Sequence, residues 1–431
     1  MAATVEGRWL EAFSAILDGS HLFQPDGLAT AVDAALAPLG IGATIYLVDE
    51  EQRTLRPVPR PGHPLPAPQP LATTPAGRAF AMVTSAPTGD DGWCVPIVNG
   101  TDRLGVVEFV VAADEAQLRD GSLRTRYETL AGLIGHLVTV TSHKGDFLAQ
   151  VRRSRPMTPA AELLRQLLPP LTSACERMVI SAILEPCYDV GGDGFDYAID
   201  GARARIVILD AVGHGLAASL ACGVAMSTLR AVRRAGGDLR EQARAADTAL
   251  MEQFPDSRFV TAVLAELDLD AGRLRYINAG HPRPLLLRTG RVVRDLAAGR
   301  RMPLGVHDDV EVAEEDLEGG DRLLLYTDGV TEARDAAGDQ FGVKRLIDLV
   351  ERHAGAGLPA PETLRRLAHA VAAHQGGAPA DDATLVLAEW SPAAARRSTP
   401  YTRRGDDHGA GSTPYTRHND DDSGVRSSGR G

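Results

Sequence analysis

The stretch Ile206-Val-Ile-Leu-Asp-Ala-Val-Gly-His-Gly215 combines an apolar run, a carboxylate and a glycine-rich turn. The β-branched run predicts a strand, and that strand ends at Asp210. The glycines that follow predict a tight turn before a helix, and they let the backbone come close to a metal ion or a phosphate. The stretch therefore predicts a fold in which a strand places an acidic side chain at the edge of a sheet, where a metal ion or a phosphate can bind.

Three further segments place aspartates beside predicted strands. Asp328 follows the apolar run 323–326, Asp381 and Asp382 precede a final strand, and Asp193 follows two glycines. A single Asp-Gly pair is usually a turn, but four acidic segments placed in this way indicate one shared site at a sheet edge. Carboxylate oxygens suit hard divalent cations such as magnesium and manganese. Two such cations held close together can make hydroxide from water and direct it at a phosphate.

Length and composition limit the classes of protein that fit. The chain has 431 residues, which favours two folded domains with a tail. Hydrophobic residues make up 44% and charged residues 24%, values that are ordinary for a soluble globular protein. The net charge of -12 argues against nucleic acid as the main partner, because the phosphate backbone requires a basic surface.

The cysteines and the apolar segments indicate the cellular compartment of the protein. Cys94, Cys175, Cys187 and Cys222 are scattered, so the sequence predicts neither a disulfide framework nor a zinc site. The first residues lack the basic-then-apolar pattern of a signal peptide. The most apolar stretch, 216–229, is shorter than the ~20 residues that span a membrane. The sequence therefore predicts a cytoplasmic protein with no membrane segment.

Four regions follow one another along the chain. Residues 1–142 predict an α+β unit of helices and strands that includes an Asn-Gly hairpin. Residues 143–175 predict a helical connector. Residues 176–390 alternate strands and helices and contain two hairpins, which predicts antiparallel sheets with helices packed outside. Residues 391–431 have almost no apolar content and predict a disordered tail.

Three pieces of the N-terminal region carry a family resemblance. They are the strand 43–49, the segment 76–80 and the hairpin that begins at Trp93 and continues through Leu104. In this order they resemble a GAF domain, which is a small-molecule sensor fold. The resemblance covers roughly a third of the chain and implies a small-molecule or protein signal whose identity the sequence does not disclose.

Eight motifs in residues 176–390 carry a second resemblance. In chain order they are VGGDGFD from Val190, DAVGHG from Asp210, FVTAVLAELD from Phe259, NAGHPRPLLL from Asn278, PLGV from Pro303, LLLYTDGVTEARD from Leu323, FG at Phe341 and DDATLVL from Asp381. As a set they resemble the metal-dependent Ser/Thr protein phosphatases of the PPM (type 2C) family, in their bacterial SpoIIE/RsbU-like branch. The resemblance implies an α+β fold of two stacked antiparallel sheets flanked by helices, with two manganese or magnesium ions at one edge.

The same resemblance assigns roles to the acidic residues. It implies that Asp210 bridges both metals with help from the Ala211 carbonyl, and that Asp328 and Asp381 complete the shell of one metal. Asp193 would act close to the pair, as a ligand or through water. The implied reaction is direct attack of a metal-activated hydroxide on phosphorus without a phosphoenzyme. The chain has no Cys-x5-Arg phosphate loop, which agrees with that reaction.

Departures from the family pattern leave parts of the site open. Asp382 is the weaker candidate of its pair, because relatives often carry a neutral amide there. Gly194 stands where many relatives have an aromatic residue, and Val212 stands where the eukaryotic branch has a histidine. His214 and His281 fit structural histidines as well as they fit a catalytic role.

The connector contains a candidate switch. Residues 160–168 place apolar side chains on one helical stripe, with Thr158 as the predicted N-cap and Pro169 as the stop. Such a helix must bury its stripe against the catalytic domain, the GAF-like unit or a second chain in a homodimer. A helix that ends in Leu-Leu-Pro is a regulatory switch in the family, and we expect it to be the only link between the two regions. A plain linker helix is the alternative.

The sequence therefore predicts a cytoplasmic, manganese- or magnesium-dependent hydrolase acting on phosphoserine or phosphothreonine and gated by the N-terminal unit. The resemblance implies a phosphorylated anti-sigma-factor antagonist as the substrate protein. Two alternatives remain, a phosphohydrolase of small phosphates and a catalytically silent sensor or scaffold. The four acidic segments argue against the scaffold.

Overall fold

The computed structural model describes residues 5–89, 92–111, 121–185, 188–189, 191–254, 258–309, 311–376 and 381–398. We call residues 5–141 the N-terminal unit, residues 142–171 the connector and residues 172–398 the C-terminal unit. Among the helices in these ranges, none has both the length and the apolar character that a membrane crossing requires.

The N-terminal unit contains one six-stranded antiparallel sheet with helices packed against it. Its helices are α1 (Val5–Ser20), α2 (Leu28–Leu36), α3 (Pro75–Met82) and α4 (Gly121–Thr141). Its strands are β1 (Ile41–Val48), β2 (Thr54–Pro57), β3 (Gln69–Pro70), β4 (Ala86–Thr88), β5 (Gly92–Asn99) and β6 (Asp102–Val111). The strand order is β3-β2-β1-β6-β5-β4. The predicted Asn-Gly hairpin is confirmed, since Asn99 pairs with Asp102 across the turn.

The connector contains α5 (Phe147–Arg152) and α6 (Pro159–Leu167). The predicted cap of α6 is confirmed, because Thr158 Oγ1 accepts a hydrogen bond of 3.2 Å from the Ala161 amide. Leu164 is buried in a cluster that includes Met226, so the apolar stripe packs on the C-terminal unit. Arg165, on another face of the helix, forms an ion pair with Glu50 of the N-terminal unit. The connector helix therefore contacts both units.

The C-terminal unit contains two sheets and six helices among the described residues. Its strands are β7 (Thr172–Cys175), β8 (Met178–Glu185), β9 (Asp193–Asp200), β10 (Arg203–Ala211), β11 (Val260–Asp268), β12 (Arg273–Ala279), β13 (Leu285–Arg288), β14 (Arg291–Asp295), β15 (Arg300–Arg301), β16 (Ala313–Asp316), β17 (Arg322–Tyr326) and β18 (Ala383–Trp390). Its helices are α7 (Leu216–Arg234), α8 (Leu239–Gln253), α9 (Asp328–Thr331), α10 (Gly342–Gly355), α11 (Ala360–Gln375) and α12 (Pro392–Arg397).

The two sheets of this unit lie face to face. The first has the order β15-β12-β11-β10-β9 with β16 paired to β12, and the second has the order β14-β13-β17-β18-β8-β7. Residues from both sheets, among them Ile180, Ile206 and Val386, share one core cluster. Helices α7 and α8 cover the outer face of the first sheet, and α10 and α11 cover that of the second. The pairings between these described strands are antiparallel except the short one between β12 and β15, and the isolated bridge between Ala262 and Gly280 is also parallel.

Two predicted boundaries differ from the structure. Strand β7 lies inside the predicted connector 143–175, because it pairs with β8 and so belongs to the second sheet. Helix α12 lies inside the predicted tail 391–431, where Ser391 accepts a hydrogen bond from the Ala394 amide and Ala394 is buried. Residues 399–431 lie outside the described residues, and disorder there stays a prediction.

The N-terminal unit also contacts the C-terminal unit directly, through α11. Glu362 is fully buried, and one of its carboxylate oxygens lies 3.7 Å from the Arg103 guanidinium of β6. Arg365 donates to the Gln52 carbonyl at 3.3 Å, and His369 Nε2 lies 3.0 Å from the Glu51 carbonyl. The expectation that the connector is the only link is therefore wrong. The sequence could not predict this contact, because its residues lie far apart along the chain.

Candidate active site

The pairing of β9 with β10 sets Asp193 directly opposite Asp210 at one end of the first sheet. Asp210 lies next to the last residue of β10, as the apolar run before it predicts. Asp193 begins β9 and does not follow an apolar run. Its strand forms because its residues pair along β10, which local pattern alone does not predict.

Asp328 and Asp381 reach the same edge from the second sheet. Asp328 begins α9 just after β17, and Asp381 lies just before β18, which is paired to β17. Between them, Thr327 Oγ1 donates a hydrogen bond of 2.7 Å to Asp193 Oδ2 and accepts one of 2.9 Å from the Thr384 amide. This hydroxyl links the two sheets at the acidic edge.

Asp382 holds the loop before β9. Its Oδ2 accepts hydrogen bonds from the amides of Gly191, at 2.6 Å, and Gly192, at 2.8 Å. A Cβ on Gly192 would lie 2.5 Å from the Ala211 carbonyl oxygen, so only glycine allows this approach. Ser219 Oγ donates to the Gly191 carbonyl at 2.6 Å. Asp382 is therefore a positioning residue that fixes the path of the chain into Asp193.

Burial and like charges raise the pKa of Asp193, Asp210 and Asp328. Burial, followed by the charges of Asp210 and Asp382, holds the pKa of Asp193 well above its ordinary value. Burial raises the pKa of Asp210 to about 7, and the charges of Asp328, Asp381 and Asp382 contribute to this shift. Burial and the Asp381 charge also raise the pKa of Asp328. The carboxyl groups from four segments thus share one electrostatic environment.

Two polar residues, Thr261 and His281, are linked to Asp210 by hydrogen bonds. Thr261 Oγ1 donates to Asp210 Oδ2 at 3.5 Å and lies 2.8 Å from His281 Nδ1. His281 is buried, and burial lowers its pKa to about 3, so its ring is neutral at pH 7. A neutral, buried ring fits the structural interpretation of His281 better than that of a general acid. His214 is exposed in the turn after β10.

The chemistry of the donor set fits hard divalent cations. Within the described ranges, no group of three or more His, Cys, Asp or Glu side chains is arranged so that it could hold a metal ion. The carboxyl groups nevertheless lie close enough to raise one another's pKa. A cation of charge +2 offsets such repulsion, and oxygen is the donor that magnesium and manganese prefer. Metal ligation by Asp193, Asp210, Asp328, Asp381 and the Ala211 carbonyl stays a prediction.

Sequence reasoning missed the hydroxyl groups of this edge. The role of the four predicted aspartates stays a prediction, and the sequence did not indicate Thr261, Thr327 and Ser219, which form hydrogen bonds beside them. Thr327 stands directly before Asp328 in a motif that was recognised, so a search for donors beside each aspartate could have found it. Thr261 and Ser219 carry no comparable local signal, because their roles depend on strand pairing and helix packing.

Comparisons with known proteins bear on the C-terminal unit. Residues 200–391 match the protein family described as Stage II sporulation protein E (SpoIIE), a range that contains Asp210, Asp328, Asp381 and Asp382 but not Asp193. Two Bacillus subtilis proteins are similar to this chain. Phosphoserine phosphatase RsbU is 26% identical over 194 residues, which cover 44% of this chain and 58% of RsbU. Phosphoserine phosphatase RsbP is 29% identical over 189 residues, which cover 41% of this chain and 44% of RsbP.

The chain thus spans about half the length of the curated relatives it matches. Among solved structures, the RsbU and RsbW domains of a Mycobacterium tuberculosis protein are 29% identical, with a TM-score of 0.44. That match covers 49% of this chain and 61% of the other. The SiaA-PP2C domain of Pseudomonas aeruginosa is 25% identical, with a TM-score of 0.46 and coverage of 53% and 93%.

Proposed function

We propose that this chain is a metal-dependent phosphatase of phosphoserine or phosphothreonine in proteins, since residues 200–391 match the family described as Stage II sporulation protein E (SpoIIE). One observation carries the proposal. Carboxyl groups from four separate segments converge at the shared edge of two sheets and raise one another's pKa. A charged, oxygen-rich edge of this kind suits two divalent cations and, through them, an anionic phosphoryl group.

The proposed roles follow from the positions of the residues. Asp210, Asp328, Asp381 and the Ala211 carbonyl would hold manganese or magnesium, with Asp193 beside them. When bound, two such cations supply a nucleophile made from water and neutralise phosphoryl charge. The remaining residues position these ligands. Thr327 and Thr261 orient the Asp193 and Asp210 carboxyl groups by the hydrogen bonds described above.

The proposed substrate is a regulatory phosphoprotein. RsbU and RsbP are both named phosphoserine phosphatases, which supports a phosphorylated protein side chain over a small phosphate. A phosphorylated anti-sigma-factor antagonist is our first candidate, on the family resemblance of the motifs.

We further propose that the N-terminal unit is a GAF-like sensor that gates the phosphatase. The unit has a six-stranded antiparallel sheet and reaches the C-terminal unit through both α6 and α11. A signal that shifts the N-terminal unit therefore has two physical contacts through which to act. The signal molecule would be a small molecule or a protein.

Phosphate release from matched substrates tests the proposed reaction. The full chain, freed of metal and then supplied with manganese, is incubated with phosphoserine, phosphothreonine and phosphotyrosine peptides and with a nucleoside triphosphate. We expect release from the first two peptides only, and only with manganese. Faster hydrolysis of the nucleotide would favour the small-phosphate alternative, and no hydrolysis of any substrate would favour the silent scaffold.

A further inference from the structure

The loop between β8 and β9 leads into Asp193, and the connector holds one residue of this loop, Tyr188. Tyr188 is fully buried, although it belongs to neither strand. Its Oη accepts a hydrogen bond of 2.8 Å from the Ser154 amide and one of 3.2 Å from the Ser154 hydroxyl. Its carbonyl accepts a hydrogen bond of 2.9 Å from the Thr158 amide. The connector therefore holds both the side chain and the backbone of Tyr188.

Arg155 of the connector makes two further contacts with the same loop. Its guanidinium lies 4.8 Å from the centre of the Tyr188 ring, and a cation in this position is attracted to the face of the ring. It also forms an ion pair of 2.5 Å with Asp189. Both side chains of that pair are nearly half exposed, so the pair adds little stability by itself. The hold on the loop rests mainly on the buried ring and its hydrogen bonds.

The connector residues that hold Tyr188 are themselves tied to other parts of the chain. The Arg152 carbonyl accepts a hydrogen bond of 3.1 Å from the Glu50 amide, and the Arg152 side chain donates to the Val48 carbonyl at 3.0 Å. The Thr158 hydroxyl caps α6. The position of Tyr188 is therefore linked to the end of β1 in the N-terminal unit and to the start of the connector helix.

The other end of the loop is fixed beside the acidic edge. The amides of Gly191 and Gly192 donate to Asp382, and the Gly192 carbonyl accepts a hydrogen bond of 3.1 Å from the Ala211 amide. Two adjacent glycines could otherwise absorb a displacement of the backbone, because glycine adopts many conformations. Since their backbone groups are bonded here, a shift at the start of the loop is passed on to Asp193.

We propose that Tyr188 is a positioning residue for the metal site. Its hydrogen bonds tie the loop that carries Asp193 to the connector, so the position of the connector sets the affinity of the acidic edge for manganese. The inference rests on the proposed function, because it takes Asp193 to act beside the metal ions. It adds a third contact to those of α6 and α11, and this contact leads directly into the site.

Hydrogen exchange in the full, metal-free chain tests the positioning of the loop. Tyr188→Phe keeps the ring but removes the acceptor of the Ser154 amide. We expect the amides of residues 191–192 to exchange at least threefold faster in this variant than in the wild type. Tyr127→Phe is the matched control, because Tyr127 is also fully buried and its Oη has no hydrogen-bond partner among the described residues. Unchanged exchange in Tyr188→Phe overturns the proposal.

Calorimetric titration with manganese tests the link from the loop to the metal site. We expect the Kd for manganese to rise at least threefold in Tyr188→Phe and to stay at the wild-type value in Tyr127→Phe. Ser154→Pro removes the amide from the other side of the same bond. Arg153 before it has φ -89° and ψ 135°, a conformation that the residue before a proline adopts. We expect Ser154→Pro to raise the Kd by a similar factor.

A double variant shows whether the two changes act through one bond. If they do, Tyr188→Phe combined with Ser154→Pro binds manganese no more weakly than the weaker single variant. Multiplied effects overturn the proposal, as does an unchanged Kd in Tyr188→Phe when the wild type binds manganese. A wild type that binds no manganese overturns the proposed function and this inference with it. Melting curves establish that each variant is folded, and Tyr188→Phe alone suffices for the comparison with the wild type.

Discussion

Thr327 donates a hydrogen bond of 2.7 Å from Oγ1 to Asp193 Oδ2, and this bond joins the end of β17 to the start of β9. The same Oγ1 accepts from the Thr384 amide at 2.9 Å. The hydroxyl therefore links the two sheets by hydrogen bonds at this edge. Its position explains how carboxylates from both sheets can serve one site.

Replacing this hydroxyl should impair catalysis more than folding. Thr327→Val keeps the shape of the side chain but leaves a buried Asp193 oxygen and the Thr384 amide without their partner. The lost bonds are worth about 1–3 kcal/mol, so we expect kcat to fall roughly 10- to 100-fold. Thr248→Val, on the exposed side of α8, is the control. Equal rates for both variants would show that Thr327 does not position the site.

The connector helix should affect basal activity through its buried face. Leu164 is 1% exposed and packs with residues of α7, the helix that follows the Asp210 turn. Leu164→Asp places a charge in this contact and should change basal phosphatase activity by at least several-fold. Leu164→Ala, which costs ~2–5 kcal/mol of stability, checks the result without a charge.

The control for this helix must come from an exposed position. Arg165 does not qualify, because it is paired with Glu50. Gln166 is exposed, and Gln166→Asp should leave basal activity unchanged. If the Leu164 variants match the wild type in phosphate release, the helix is a plain linker.

Most of the acidic site could be predicted from the sequence, because each aspartate stands in a motif whose pattern is local. The strand that carries Asp210 includes the apolar run before it and ends one residue later, at Ala211. The contact between Arg103 and Glu362 could not be predicted, because it joins residues distant in the chain and leaves no periodic pattern. Helix α12 was missed for another reason. Its Ser-Pro start is a helix signal, but the polar composition around it outweighed that signal.

Truncation should separate α12 from the rest of the predicted tail. Deletion of residues 399–431 should leave the melting temperature and the activity nearly unchanged, because that segment is too polar to pack. Deletion from residue 391 also removes the buried Ala394 and the pairing of Arg397 with Glu389 at 3.2 Å. It should lower the melting temperature measurably. Equal melting temperatures for the two truncated chains would contradict a packed α12.

Acidification should weaken the contact between the two units. Burial lowers the pKa of His369 to about 4, although its hydrogen bond to the Glu51 carbonyl opposes the shift. The unfolded ring titrates near 6.5, so between the two values the unfolded chain binds more protons than the folded one. The free energy of unfolding should therefore fall as pH is lowered from 6.5 towards 5, by about 1 kcal/mol for each pH unit.

Chemical denaturation at several pH values measures this dependence. His369→Gln can still donate to Glu51 but does not titrate, so its stability should change less with pH over this window. His63→Gln, at an exposed position, should behave like the wild type. Glu362 titrates in a lower window, since Arg365 and Arg103 overcome the effect of burial and lower its pKa to about 2. Identical pH profiles for wild type and His369→Gln would exclude His369 as the cause.

Metal-dependent release of phosphate from a phosphoserine peptide tests the central claim most directly. The account predicts that chelator abolishes release by the wild type and that manganese restores it. Asp210→Asn should be slower by several orders of magnitude with manganese present, at an unchanged melting temperature. Asp316→Asn, at an exposed position of β16, should match the wild type. Full activity of a metal-free sample, or of Asp210→Asn, would contradict a metal-dependent phosphatase centred on Asp210.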